Sequence, residues 1–223
     1  MIIFGHRGAP GYPRRAENTI GSFNKALQAG ATGLEFDVRR CGDGSLVVIH
    51  DDSIDRTTNG KGSVASLPYE QLCRFDAGEG ECIPLLSDVL DQFGARILLN
   101  IELKDPAIAA DVKKLVLEKR LEHHVIVSCF EWDELKVLTP DVPIALLASK
   151  LANLIEKAHE LGATAIHPRY DLVTRSFVET AHQSKLRVHV WTVNDPADIS
   201  RFRSFQVDGI FSDFPGRCST PAS

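Results

Sequence analysis

The 223-residue sequence predicts an α/β protein, a (β/α)8 TIM barrel carrying a hairpin and loop excursion after its second strand. Three observations carry that prediction. Short runs rich in Val, Ile and Leu alternate with amphipathic stretches almost from end to end, the rhythm of parallel strands joined by helical crossovers. Nine runs are strand-like, one more than a closed eight-stranded barrel requires. The spacing removes the surplus. Between Val38 and Leu46 there are too few residues for a parallel crossover, so "LVVIH" (46–50) is expected to return antiparallel beside the second strand.

The elements follow in order. "IIFG" (2–5) is the first strand, and "TIGSFNKALQAG" (19–30) a helix stopped by Gly30. "GLEFDV" (33–38) is the second strand, "CGDGS" a turn, and 46–50 the return. Residues 51–83, rich in Asp, Gly and Thr, form the excursion, with one short helix near 68–75. "PLLSDVLDQFG" (84–94) opens on Pro and closes on Gly, the asymmetry of a helix. Strands are then expected at 97–103, 125–130, 144–148, 165–168, 188–193 and 209–213. Helices near 106–119, 131–138, 150–161, 174–184 and 195–203 separate them. No linker or shift of composition divides residues 1–223, so a single domain is expected. A doubly wound open sheet is the competing architecture, but no glycine-rich dinucleotide turn follows the first strand.

Composition bounds the function. With 43% hydrophobic and 25% charged residues the chain can bury a core like any soluble domain. A formal net charge of −5 argues against general nucleic-acid binding, which needs a basic face. No apolar run approaches the length of a membrane span. The chain opens on its first strand without the basic and apolar regions of a secretory signal, and its five scattered cysteines lack CxxC spacing. A cytoplasmic protein with reduced thiols is the expectation.

In a (β/α)8 barrel the C-terminal ends of the strands line the active site. Here those ends are charged. The first ends in His6–Arg7, the second carries Glu35 and Asp37, and "NIELK" brings Glu102 and Lys104. The return strand places His50 and Asp51 near the same mouth; the last two barrel strands end at Trp191 and at Ser212–Asp213. Residues two apart in a strand share a face, so Glu35 and Asp37 project together. Two buried like charges need a proton, a cation or water. Three converging carboxylates make an oxygen-rich site for a hard divalent cation: Mg²⁺, Ca²⁺ or Mn²⁺. Arg7 and Lys104 offer donors to a phosphate oxygen. His6 and His50 titrate near neutrality, as a general acid and base require. Together these groups describe phosphodiester cleavage.

Singly, each has a plainer explanation. Glu102 with Lys104 is an ordinary ion pair, "HDD" opens a turn, and a lone His6 is a packed histidine. Their joint placement at strand ends favours a site. The remaining histidines do not gain from it: His123 and His124 are expected in solvent, His159 and His182 on helix surfaces, and His189 inside the barrel. Trp191 is assigned to an apolar wall of the cleft.

The stretches "GHRG" (5–8), "ENT" (17–19), "EFDV" (35–38), "VVIHD" (47–51), "DRTTNGKG" (55–62), "IELK" (101–104), "WTVN" (191–194) and "GIFSDFP" (209–215) run in order along nearly the whole chain. As a set they resemble the glycerophosphodiester phosphodiesterases, a family related in architecture to bacterial phosphatidylinositol-specific phospholipase C. The resemblance implies a metal-dependent hydrolase that releases sn-glycerol 3-phosphate and an alcohol from a small glycerophosphodiester. It implies His6 and His50 as the acid/base pair, Glu35, Asp37 and Glu102 on the metal, and Arg7 and Lys104 on the phosphate. Glu17 is implied in support, orienting His6 or Arg7. One departure is visible: where the family has a proline before "ENT", this chain reads "RRAENT", with Arg14, Arg15 and Ala16. Two other functions remain open, a lysophospholipase D-type activity on lysophospholipids and a non-catalytic phosphodiester-binding protein. Head group, oligomeric state and choice of metal are not legible.

Overall fold

The computed structural model describes residues 1–11 and 16–218; Arg14 and Arg15 lie outside the described residues. Eight parallel strands close into a barrel: β1 (Ile2–His6), β2 (Gly33–Arg40), β4 (Leu98–Leu103), β5 (Val125–Cys129), β6 (Ile144–Ala148), β7 (Ala165–Pro168), β8 (Arg187–Val190) and β9 (Gly209–Ser212). Pairing of β1 with both β2 and β9 closes the ring. The remaining strand, β3 (Leu46–Val48), pairs antiparallel with β2, as the short connection requires. β1 meets only Gly33, Leu34 and Glu35, so the far end of β2 is left to take β3 through Val38, Arg39 and Arg40.

Among the described residues, seven α-helices follow or flank these strands: α1 (Ile20–Gln28), α2 (Tyr69–Leu72), α3 (Leu86–Phe93), α4 (Ala109–Glu118), α5 (Leu154–Glu160), α6 (Arg175–Gln183) and α7 (Pro196–Phe205), before a last turn of helix, α8 (Pro215–Cys218). Thr19 starts α1, accepting from the Ser22 amide while Ser22 Oγ accepts from the Thr19 amide, a reciprocal cap at the sequence "NTIGS". Asp195 caps α7 ahead of Pro196.

One expected helix differs. Residues Trp132–Val137 form a 3-10 helix. A 3-10 helix has three residues per turn, which sets Trp132, Leu135 and Leu138 on one side. Leu135 and Leu138 are buried, and Trp132 Nε1 donates to the Leu147 carbonyl at 2.7 Å. The excursion also holds a separate 3-10 turn, Val64–Ser66, beside the expected short helix.

The main core lies between the strands and the surrounding helices, with the Phe23 ring meeting both Phe36 and Phe93. The barrel interior is filled separately. Ile126, Ala145 and Ala165 form a patch against Leu98, while Phe4 stacks on Phe211 with centroids 4.7 Å apart. The excursion has its own small core, in which Ile54, Val64, Leu72 and Ile83 pack against Val47 and Ile49. Among the described residues, no helix is long and apolar enough to cross a membrane.

Candidate active site

The turn "GHRG" leaves β1 tightly. Arg7 sits at φ 52° and Gly8 at φ +91°, where a side chain on Gly8 would meet Ser22 Oγ at 2.4 Å. This turn aims the Arg7 amide at Glu35 Oε2, which accepts at 2.8 Å. Strand register then sets the acids: His6 lies beside Glu35, and Asp37 beside Glu102. One ligand oxygen each of Glu35, Asp37 and Glu102 lies within 4.8 Å of the others, and all three residues are buried.

Their surroundings are unequal. Asp37 Oδ2 accepts from Asn18 Nδ2 at 2.8 Å and lies 3.3 Å from Arg7 Nε; its Oδ1 lies 3.2 Å from Lys104 Nζ, though without hydrogen-bond geometry. Lys104 also pairs with Glu102. Glu35 Oε1 is buried with no hydrogen-bond partner. Burial, and then the charge of Asp37, push the Glu35 carboxyl up to about 8. Burial and Asp37 raise Glu102 as well. Burial acts on Asp37 too, but Lys104 and Arg7 outweigh it and hold that carboxyl below its ordinary range. Such a trio calls for added positive charge, the condition a bound cation meets.

Both sequence-assigned histidines reach the cleft, each gripped by a carboxylate at Nδ1. His6 Nδ1 lies 2.6 Å from Asp213 Oδ1, and Asn194 Nδ2 donates to Asp213 Oδ2 at 2.7 Å. His50 Nδ1 lies 2.7 Å from Asp51 Oδ1. The grip leaves Nε2 of each ring free to exchange a proton, with His6 Nε2 3.9 Å from Glu35 Oε2. Burial lowers the His6 pKa, but Glu35 and Asp213 overcome it and the net shift is upward. At His50 burial prevails over Asp37 and Asp51, and the shift is downward.

Glu17 lies against Arg7, whose Nη1 donates to Glu17 Oε1 at 3.1 Å. Trp191 and Phe130 meet edge to face, centroids 5.5 Å apart, and line the same cleft as the acids. The cleft they border has a cavity volume of about 140 Å³ and is lined by His6, Arg7, Glu35, His50, Glu102 and Lys104. His189 is buried inside the barrel as expected, and His123 and His124 are exposed.

Sequence reasoning left Asp213, Asn194, Asn18 and Arg56 without a role. Asn18, Asn194 and Asp213 stand in the quoted motifs "ENT", "WTVN" and "GIFSDFP", and Arg56 in "DRTTNGKG", so a signal existed; what the sequence lacked was the partner.

Clustered buried carboxylates, cations facing the same space and imidazoles held by one nitrogen are groups that hydrolysis of a phosphate ester can use, and the fold and site define the class of a barrel phosphodiesterase. Residues 6–217 match the glycerophosphoryl diester phosphodiesterase family. A glycerophosphodiester phosphodiesterase of Caldanaerobacter subterraneus subsp. tengcongensis is 36% identical over 234 residues, covering 96% of this chain and 94% of the relative. One of Bacillus altitudinis is 36% identical over 236 residues, covering 96% and 95%. Among solved structures, an Oleispira antarctica phosphodiesterase in complex with the product sn-glycerol-3-phosphate superposes with a TM-score of 0.85 at 27% identity, over 98% of this chain and 95% of that one. The chain belongs to the glycerophosphoryl diester phosphodiesterase family.

Proposed function

We propose that this chain hydrolyses glycerophosphodiesters to sn-glycerol 3-phosphate and an alcohol, with a divalent cation on Glu35, Asp37 and Glu102 and with His6 and His50 as the acid/base pair. The observation that carries the reading is the buried carboxylate trio, in which Glu35 Oε1 and Asp37 Oδ1 lack hydrogen-bond partners. Oxygen donors of this kind fit Mg²⁺, Ca²⁺ or Mn²⁺. When bound, the cation supplies positive charge that stabilises the phosphate oxygens and acidifies a nearby hydroxyl or water. The product named for the Oleispira antarctica neighbour is consistent with the substrate class.

The chain's own groups do the rest. Arg7 and Lys104, kept charged by the acids around them, hold the non-bridging phosphate oxygens. One imidazole takes the proton of the attacking hydroxyl, from the glycerol or from water. As the phosphorus–oxygen bond to the alcohol breaks, the other imidazole protonates the departing oxygen, which is otherwise a poor leaving group. Asp213 and Asp51 fix the two rings so that Nε2, not Nδ1, makes each transfer. Trp191 and Phe130 exclude water from one side.

Release of sn-glycerol 3-phosphate from glycerophosphocholine tests this. Activity is expected to vanish on chelation, to return with Mg²⁺, Mn²⁺ or Ca²⁺, and to be lost in Glu35→Ala. Full activity under chelation would overturn the cation assignment. Inactivity of the metal-loaded protein on every glycerophosphodiester would overturn the substrate class; turnover of a lysophospholipid instead would assign a lipid substrate.

A further inference from the structure

Arg56, in the first turn of the excursion, reaches between two carboxylates. Its Nε and Nη2 donate to Asp51 Oδ2 and Oδ1 at 2.6 and 2.9 Å. Its Nη1 and Nη2 donate to Glu17 Oε2 and Oε1 at 2.9 and 2.7 Å. Asp51 grips His50 Nδ1, and Glu17 accepts from Arg7. Five side chains thus form an unbroken line, His50–Asp51–Arg56–Glu17–Arg7, joining an imidazole and a guanidinium that arrive from different strands.

We propose that Arg56 is a positioning residue: through Asp51 it fixes the ring of His50, and through Glu17 it fixes Arg7, so that the proton-transferring and anion-holding groups keep one spacing. What His50 and Arg7 do in this account rests on the function proposed above; how they are held does not.

The chemistry suits the task. A planar guanidinium engages two carboxylates at once in fixed directions, which an ammonium cannot do. Arg56 is half exposed, and exposed ion pairs contribute little to stability. Its four hydrogen bonds therefore define geometry more than they hold the fold. Without it, Asp51 and Glu17 lose their common cation, and Asp51 is free to turn away from the Nδ1 it holds. Among the described residues His50 has one other side-chain tether, the Arg39 Nε bond to its carbonyl oxygen, and that bond fixes backbone, not ring. His6 supplies an internal control, because Asp213 is held by Asn194 and has no hydrogen bond to Arg56.

Side-chain ¹⁵N NMR of the histidines, read beside kcat, tests the relay. In the native protein His50 is expected as a fixed Nδ1–H tautomer. Arg56→Ala should give mixed tautomers at His50 and leave His6 unchanged, with kcat reduced about 10–100-fold, the usual loss when an orienting partner is removed. Arg56→Lys should recover part of each effect, and it replaces the alanine variant should that one not fold. In an Asp51→Asn background Arg56→Ala should cost less than it does in the native protein, because the arm to the His50 ring is already lost and only the Glu17–Arg7 arm remains to lose. A fixed His50 tautomer in the variants, or losses that multiply independently, would overturn the proposal. Should the native protein hydrolyse no glycerophosphodiester, the proposed function falls while the tautomer still decides the relay.

Discussion

Two pairs of histidines sit in this barrel, at the mouth and in the interior, and they share almost nothing but their side chain. His6 and His50 each give Nδ1 to a carboxylate and line the cleft. The rings of His167 and His189 are fully buried and, among the described residues, hydrogen-bond only to each other, Nε2 to Nδ1 at 3.0 Å, among Phe4 and Phe211. Burial pushes both interior rings down, His189 to about 3, so they stay neutral at ordinary pH. A carboxylate partner prepares a ring to carry a proton; an aromatic box denies it one. Partner, not residue type, sets the role.

The comparison can be broken at four points. Replacing His6 or His50 by Ala should cost about 10²–10⁴-fold in kcat, the range for loss of a general acid or base, with little change in melting temperature. His167→Ala showing the same kinetic loss at unchanged stability would erase the distinction. Asp213→Asn should lower kcat about 10–100-fold by releasing the His6 ring, with KM nearly constant.

The third point is stability against pH. The folded pKa of His189 lies below its unfolded value of 6.5, so the unfolded chain binds the proton first. Stability from this group is therefore complete above pH 6.5 and declines as pH falls toward 3, by at most about 1.4 kcal/mol per pH unit. Urea midpoints of the native protein should drop more steeply below pH 6.5 than those of His189→Asn; equal slopes would show that His189 takes up a proton in the fold. Smallest is the wall: Trp191→Phe keeps the ring face and loses the Nε1 bond to the His167 carbonyl, 2.7 Å long, so KM should rise less than about tenfold with kcat nearly intact.

How much of this was readable in the sequence varies with the range of the interaction. The eight barrel strands were legible because apolar runs and crossover lengths are local signals, and the antiparallel β3 followed from counting the residues between Val38 and Leu46. Glu35, Asp37 and Glu102 were legible as a group because strand parity and register are regular. The grip of Asp213 on His6 was not, for it joins positions 207 residues apart across the seam that closes the barrel. The His167–His189 pair was missed for a different reason: β7 shows a lone histidine, and only the register of β7 on β8, where Ile166 pairs with Val188, sets it beside its neighbour. The 3-10 helix at Trp132–Val137 escaped because its three-residue period mimics a helical stripe over so short a span.

The overhang of β2 beyond β1 works as a ledge. The excursion leaves from it and comes home to it, where Val47 bridges Leu85 and the Val48 amide donates to the Pro84 carbonyl at 2.9 Å. A loop whose two feet stand together can lengthen at little entropic cost, since closure entropy grows only with the logarithm of its length. The barrel thus carries an annex fastened at two sides. Its doorway, from His50 to Arg56, is tied to the mouth, while its far side is pinned where the Gly42 amide donates to the Leu67 carbonyl at 2.8 Å and the Gly21 amide of α1 donates to Glu81 Oε2 at 3.0 Å.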